Sequence, residues 1–144
     1  MKVGFTRCLE AVPAYLLVDD SPSIRLALAA ALRLAHEGTT VRIAEAASEK
    51  EAIDLFLAET FDIVFLDLML SAHTSALDAL RAILAAKPDA RVVLTTGLER
   101  EHPDVIEGIS IGAFGYLRKP VRAAEVRAVI EEVATETGHV GRIR

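Results

Sequence analysis

A few side chains in this 144-residue sequence are equipped for chemistry on a charged group. Asp19 and Asp20 stand together after the apolar stretch Ala14–Val18, and Asp67 closes the apolar stretch 63–66. Thr95 and Thr96 follow Val92, Val93 and Leu94, and Lys119 precedes Pro120. Three carboxylates brought within a few ångströms repel one another unless a cation joins them. An all-oxygen set with few protein ligands suits Mg2+, which keeps several waters and shares phosphate oxygens. A carboxylate beside Mg2+ and a lysine can attack a phosphoryl group, because the cations offset charge on the transferring oxygens. A threonine hydroxyl can then donate to the same oxygens. Taken singly, Asp20 reads as a loop charge before Pro22, a strand-end threonine as a β-former and Lys119 as a surface lysine. Asp67 is harder to explain away, since a lone carboxylate in an apolar stretch is costly to bury.

The set gains meaning only if the fold brings it to one edge, and the hydrophobic period supplies that edge. Residues 14–18 have the length of a buried strand. Ser21 and Pro22 read as N-cap and first helical residue. They open a helix with Ile24, Ala27, Leu28, Ala31 and Ala35 on one face, stopping near Gly38. Val41 and Ile43 alternate with Arg42 and Ala44, as in a half-exposed strand. Ser48 to Glu51 is a capping box for a helix that turns Ile53, Phe56 and Leu57 inward. The run 63–66 suits a central strand covered on both faces. Leu77, Leu80 and Leu84 mark a third helix, and Val92 to Leu94 a fourth strand. Pro103 starts a helix carrying Val105, Ile106 and Ile109 and ending at Gly112, and 113–117 forms a fifth strand. From about Val121 a last helix places Val126, Val129, Ile130 and Val133 on one stripe. The pattern is (βα)5, an α/β chain whose crossovers imply an open, doubly wound parallel sheet with ligands at the carboxyl ends of its strands. The acidic pair, Asp67, the threonines and Lys119 all follow strands and share that rim.

Composition bounds the function. The length fits one domain. With 52% hydrophobic and 26% charged residues, the chain can bury a core. A net charge of −5, from 16 basic and 21 acidic residues, argues against direct nucleic-acid binding, which needs clustered Lys and Arg. The single cysteine, Cys8, excludes an intramolecular disulfide and a Cys-based zinc site. A spanning helix needs roughly 18 apolar residues with few charges, whereas Arg25 and Arg33 interrupt one candidate and Asp62 and Asp67 bracket another. Residues 1–13 hold no apolar signal core. A soluble, cytoplasmic chain is expected. The 24 alanines among 144 residues suit helices lying close against a sheet.

Three segments resemble the receiver domain of two-component response regulators: L-L-V-D-D-S-P-S-I-R (Leu16 to Arg25), D-I-V-F-L-D-L-M-L (Asp62 to Leu70) and G-A-F-G-Y-L-R-K-P (Gly112 to Pro120). The resemblance implies a flavodoxin-like strand order 2-1-3-4-5, with residues 1–13 an N-terminal extension, 14–138 the receiver and 139–144 a tail. It implies that Asp67 takes a phosphoryl group from a sensor histidine kinase or a phosphotransfer protein. Asp19 and Asp20 resemble the family's acidic pair, with Asp20 and Asp67 holding Mg2+ together with the backbone carbonyl of Met69. Lys119 resembles the phosphate-contacting lysine, joined to Pro120 by a cis peptide, and Tyr116 resembles the aromatic switch. Thr96 is favoured over Thr95 as the switch hydroxyl. Only one of two successive strand residues can face the phosphoryl group, and Gly97 gives Thr96 the small successor the family uses. Output is expected through protein–protein contact with a downstream target, with monomer and homodimer both open.

The sequence departs from the family after the phosphoacceptor, where Ser71 and Ser75 stand at positions usually held by proline and glycine. His73 in that loop reads as a solvated histidine, and His36, His102 and His139 show no ligand spacing. Phe5, Leu9 and Val12 could form one helical turn on the domain. Other readings are a phospho-independent pseudo-receiver, and a receiver fragment of a larger regulator or hybrid kinase. A third is an aspartyl-nucleophile phosphohydrolase. That enzyme would want a second acid where Met69 stands. The chain is otherwise expected to catalyse nothing beyond its own phosphotransfer and dephosphorylation.

Overall fold

A computed structural model describes residues 12–70 and 76–136. Phe5, Cys8, Leu9, Ser71, His73, Ser75 and His139 lie outside the described residues. The elements alternate as β1 (Ala14–Val18), α1 (Pro22–Ala35), β2 (Arg42–Ala46), α2 (Glu49–Ala58) and β3 (Ile63–Asp67). They continue as α3 (Leu77–Ala86), β4 (Val92–Thr96), α4 (Pro103–Ile111), β5 (Gly115–Arg118) and α5 (Ala123–Glu136). The five strands form one parallel sheet in the order β2-β1-β3-β4-β5. This is the expected doubly wound architecture.

Strand alternation divides the core into two layers. Tyr15, Leu17, Phe65 and Val93 point to one face and pack with Leu28 and Leu32 of α1 and Val126 and Val129 of α5. Leu16, Val18, Val64, Leu66 and Leu94 point to the other and meet Ala52 and Phe56 of α2, Leu80 and Ile83 of α3, and Val105 of α4. Because β1, β3 and β4 are covered on both sides, every residue in them is buried. Edge strand β2 is mostly open, as its alternating sequence foretold.

Local chemistry sets the helix ends. Ser21 caps α1 by accepting from the Ile24 N–H, with Pro22 at the first position. Ser48 accepts from the Glu51 N–H, while Glu51 reaches back to the Ala47 N–H, one residue earlier than a standard capping box. His102, which shows no ligand spacing in the sequence, caps α4 through Nδ1, which accepts from the Asp104 N–H at 3.1 Å. The other described histidine, His36, pairs its Nε2 with the Tyr15 hydroxyl at 2.7 Å.

Three sequence expectations need correction. In α1 the inward stripe runs through Leu28, Ala29 and Leu32, and Ala27 is exposed. Leucines carry far more apolar area than alanines and so set the rotation of the helix. In α2, Ala52 and Phe56 face the sheet and Leu57 is 65% exposed, because each further residue turns about 100° around the axis. Strand β5 begins at Gly115 rather than 113, since the Ala113 N–H still closes α4 by bonding Gly108 O. Gly112 makes that turn at φ +134, where a side chain would be strained.

Candidate functional site

The carboxyl ends of β1 and β3 bring Asp19, Asp20 and Asp67 together, with one carboxylate oxygen of each within 4.8 Å of the others. Asp19 and Asp67 are 1% and 4% exposed, whereas Asp20 faces solvent. From the end of β5, Lys119 stretches across β4 to donate to Asp19 Oδ2 at 2.8 Å, and its Nζ lies 3.4 Å from Asp67 Oδ2. Asp67 Oδ1 accepts the Met69 N–H at 3.1 Å. The two Asp67 oxygens therefore differ: one faces the backbone, the other the ammonium. The Lys119–Pro120 peptide is cis, as the resemblance implied.

Electrostatics follow from this crowding. Burial is the first cause that pushes the Asp67 carboxyl above its ordinary pKa. The Met69 N–H pulls the other way, Asp19 adds to the rise, and Lys119 opposes it. Burial also works against the Lys119 ammonium, but its hydrogen bond to Asp19 and the charges of Asp67 and Asp19 outweigh it, so its pKa stands above the usual lysine value. A protein that keeps two nearly buried carboxylates and an exposed third around one lysine leaves negative charge uncompensated. The donors are all hard oxygens, which fits Mg2+.

Sheet register separates the two threonines. Thr95 pairs with Asp67 across β3 and β4, so it shares that residue's face of the sheet. Its hydroxyl is buried without a hydrogen-bond partner among the described residues. Thr96 is the last residue of β4, its Oγ1 accepts the Leu98 N–H at 3.2 Å, and its carbonyl takes the Lys119 N–H. Tyr116 lies half-buried one strand away, with its hydroxyl donating to the Leu98 carbonyl. Leu98 is thus held at its N–H by Thr96 and at its C=O by Tyr116. Sequence reasoning named both side chains but missed the residue that joins them, because a backbone acceptor leaves no mark on residue type.

It also missed Arg25. Nη1 of Arg25 donates to the Asp19 carbonyl at 2.6 Å, and Nε to Glu45 Oε1 of β2 at 2.7 Å. The motif that contains Arg25 was legible, its function as a brace was not.

A family model for the response regulator receiver domain matches residues 15–131. The chain belongs to this family. Protein CcdB of Bacillus subtilis is 32% identical to this receiver over 124 residues, covering 86% of the chain and 97% of that relative. Relatives named as transcriptional regulatory proteins are longer, and the receiver spans between 49% and 59% of their length. Among solved structures, a receiver domain from Clostridium thermocellum superposes with a TM-score of 0.75 at 26% identity, covering 88% of this chain and 97% of that one. A response regulator from Burkholderia pseudomallei, crystallised with a phosphorylated aspartic acid, a calcium ion and citrate, gives 0.70 at 27% identity, with 88% and 73% covered. The receiver family and its phosphoryl-accepting switch function are what the sequence led us to expect. Among the described residues, no helix is long and apolar enough to cross a membrane.

Proposed function

We propose that Asp67 is the residue phosphorylated in this receiver, with a phosphohistidine of a sensor histidine kinase or phosphotransfer protein as donor. The carrying observation is the asymmetry of Asp67: Oδ1 is engaged by the Met69 N–H, while Oδ2 lies 3.4 Å from Lys119 Nζ. Oδ2 is the attacking atom. Its bond to phosphorus forms as the P–N bond breaks, and the donor imidazole leaves with the electron pair. Lys119 balances charge on the phosphoryl oxygens as they arrive. Asp19, Asp20 and Asp67, with the Met69 carbonyl, would hold Mg2+. When bound, that ion supplies positive charge against the same oxygens. The likeness to the Burkholderia pseudomallei regulator, whose structure contains a phosphorylated aspartic acid and a calcium ion, supports the assignment. Water later cleaves the acyl phosphate, returning the carboxylate and inorganic phosphate, and the chain performs no other reaction.

The phosphoryl group adds about 1.5 to 2 negative charges, enough to draw in a nearby hydroxyl. Although Thr95 is the residue paired with Asp67, Thr96 stands one residue beyond the last β3–β4 pair, at the rim where the phosphoryl group arrives. Thr96 answers by turning its Oγ1 from the Leu98 N–H toward the phosphoryl oxygens. Leu98 is then free to shift, and with it the acceptor of the Tyr116 hydroxyl. Tyr116 lines a cavity of about 120 Å³ with Arg100, Ile109, Gly115 and Glu132, which gives its ring room to move. The surface of α4, β5 and α5 changes accordingly and presents a different face to a downstream protein in the cytoplasm. This is a two-state element biased by local charge.

The test is incubation with acetyl phosphate and Mg2+ followed by intact mass. One added phosphoryl group, lost with a chelator and in Asp67→Asn, is the expected result. No adduct would favour a pseudo-receiver, and turnover of phosphate monoesters would favour a hydrolase.

A further inference from the structure

Asp20 differs from its two partners in how it is held. Asp19 is tied at both carboxylate oxygens, by the Ser21 N–H at 2.9 Å and Lys119 Nζ at 2.8 Å, and Asp67 is tied by Met69 and Lys119. The Asp20 carboxylate is exposed and takes no hydrogen bond among the described residues, yet one of its oxygens lies within the 4.8 Å cluster. Its position therefore rests on the backbone that carries it. That backbone is the Asp19–Asp20 peptide, and both flanking polar groups of Asp19 are claimed from outside the loop. The Asp19 N–H donates to Ala46 O of β2 at 3.1 Å, and the Asp19 carbonyl accepts from Arg25 Nη1 at 2.6 Å. Arg25 is in turn fixed by Glu45 at 2.7 Å, with its side chain only 16% exposed. A guanidinium near the N-terminal end of α1 opposes the helix dipole, so helix chemistry does not account for it.

We propose that Arg25, clamped by Glu45, is a positioning residue that orients the Asp19–Asp20 peptide and so aims the Asp20 carboxylate into the cation site. The inference rests on the metal reading of the acidic cluster. Two physical effects predict opposite signs, which makes it decidable. A positive charge near the site opposes a divalent cation by Coulomb's law, so removing it should tighten binding if charge were its main effect. Loss of orientation should weaken binding instead.

The experiment is titration of the folded chain with Mg2+ alone, followed by backbone amide shifts of Asp20 and Met69. Wild type is expected to bind and Asp20→Asn to lose most of that affinity. Arg25→Met should raise the dissociation constant about tenfold, as removing a group that orients a metal ligand commonly does. Arg25→Lys keeps the charge but loses the two-pronged contact, and should stay within about threefold of Arg25→Met. Charge alone predicts no change for Arg25→Lys, which therefore decides the matter if Arg25→Met does not fold. Glu45→Gln, which frees Arg25 and also removes a negative charge, should weaken Mg2+ as well. Unchanged or tighter binding in folded Arg25→Met, in Arg25→Lys or in Glu45→Gln overturns the proposal while Asp20→Asn still loses affinity. Absence of Mg2+ binding by wild type overturns the metal reading itself.

Discussion

Asp67→Asn should stabilise the fold when no divalent cation is present. At an effective dielectric of 20, the 3.4 Å contact between Asp67 and Lys119 is worth about 5 kcal/mol of attraction. Asp19, within 4.8 Å, contributes about 3.5 kcal/mol of repulsion on the same scale, and solvent-exposed Asp20 about 1 kcal/mol. The charge terms nearly cancel, leaving the burial of a carboxylate as the deciding cost. That matches the upward direction of its pKa, in which burial comes first. An asparagine keeps the acceptor for the Met69 N–H and removes the charge, so the expected gain is about 1–3 kcal/mol at neutral pH. For a domain of this size that is a rise in Tm of about 4–10 °C in a chelator. The sign of the pH dependence follows from linkage: a carboxyl with a raised native pKa destabilises the fold above that pKa. The penalty fades as pH falls toward the unfolded value, so the advantage of Asp67→Asn should shrink on acidification. Mg2+ at ten times its dissociation constant should return about 1.4 kcal/mol to wild type and little to the variant. Thermal and urea unfolding with chelator and with Mg2+ provide the assay. An Asp67→Asn chain that is less stable than wild type in chelator, or that keeps the full Mg2+ effect, refutes the reasoning.

Thr95→Val removes a buried hydroxyl that has no partner among the described residues, at nearly constant shape, and should stabilise by about 1 kcal/mol in urea titration, with acetyl-phosphate labelling unchanged. Thr96→Val should leave labelling intact but uncouple it from Tyr116, read as loss of the phosphorylation-induced change in the Tyr116 ring resonances. Lys119→Met leaves Asp19 and Asp67 facing each other without a cation, and should cost about 1–3 kcal/mol of stability in chelator. The same change should slow labelling by at least about tenfold at saturating Mg2+. Gly108→Ala would set a methyl 2.5 Å from Leu94 Cδ1. Overpacking of about 1–3 kcal/mol should outweigh the roughly 1 kcal/mol gained in helix propensity, seen as a lower urea midpoint.

The alternation of strands and helices was legible because most strands are short apolar runs and several helices open on a clear signal, at Ser21-Pro22, Ser48 and Pro103. Helix α3, whose N-cap is Ala76, shows instead through its leucine spacing. Strand ends carry the acidic pair, Asp67, the threonines and Lys119, so the parallel topology alone brings them to one rim. What the sequence hid was set by partners far along the chain. Ala27 and Leu57 look as apolar as their neighbours, and only the packing of Leu32 and Ala52 shows which side of each helix meets the sheet. Thr95 and Thr96 are chemically identical, and the pairing of Asp67 with Thr95 is a property of register. Arg25 and Leu98 act through carbonyl groups, and backbone acceptors belong to every residue. His102 caps a helix with a ring nitrogen in a place where serine or aspartate would have been read at once.

Borohydride trapping of the acyl phosphate tests the central claim most directly. After treatment with acetyl phosphate and Mg2+, reduction should convert residue 67, and no other aspartate, to homoserine, as read by tandem mass spectrometry of the peptides. Omitting Mg2+ should largely abolish the product. Homoserine at Asp19 or Asp20 instead, or a phosphorylated chain with Asp67 left unreduced, would contradict the assignment of Asp67 as the phosphoryl acceptor.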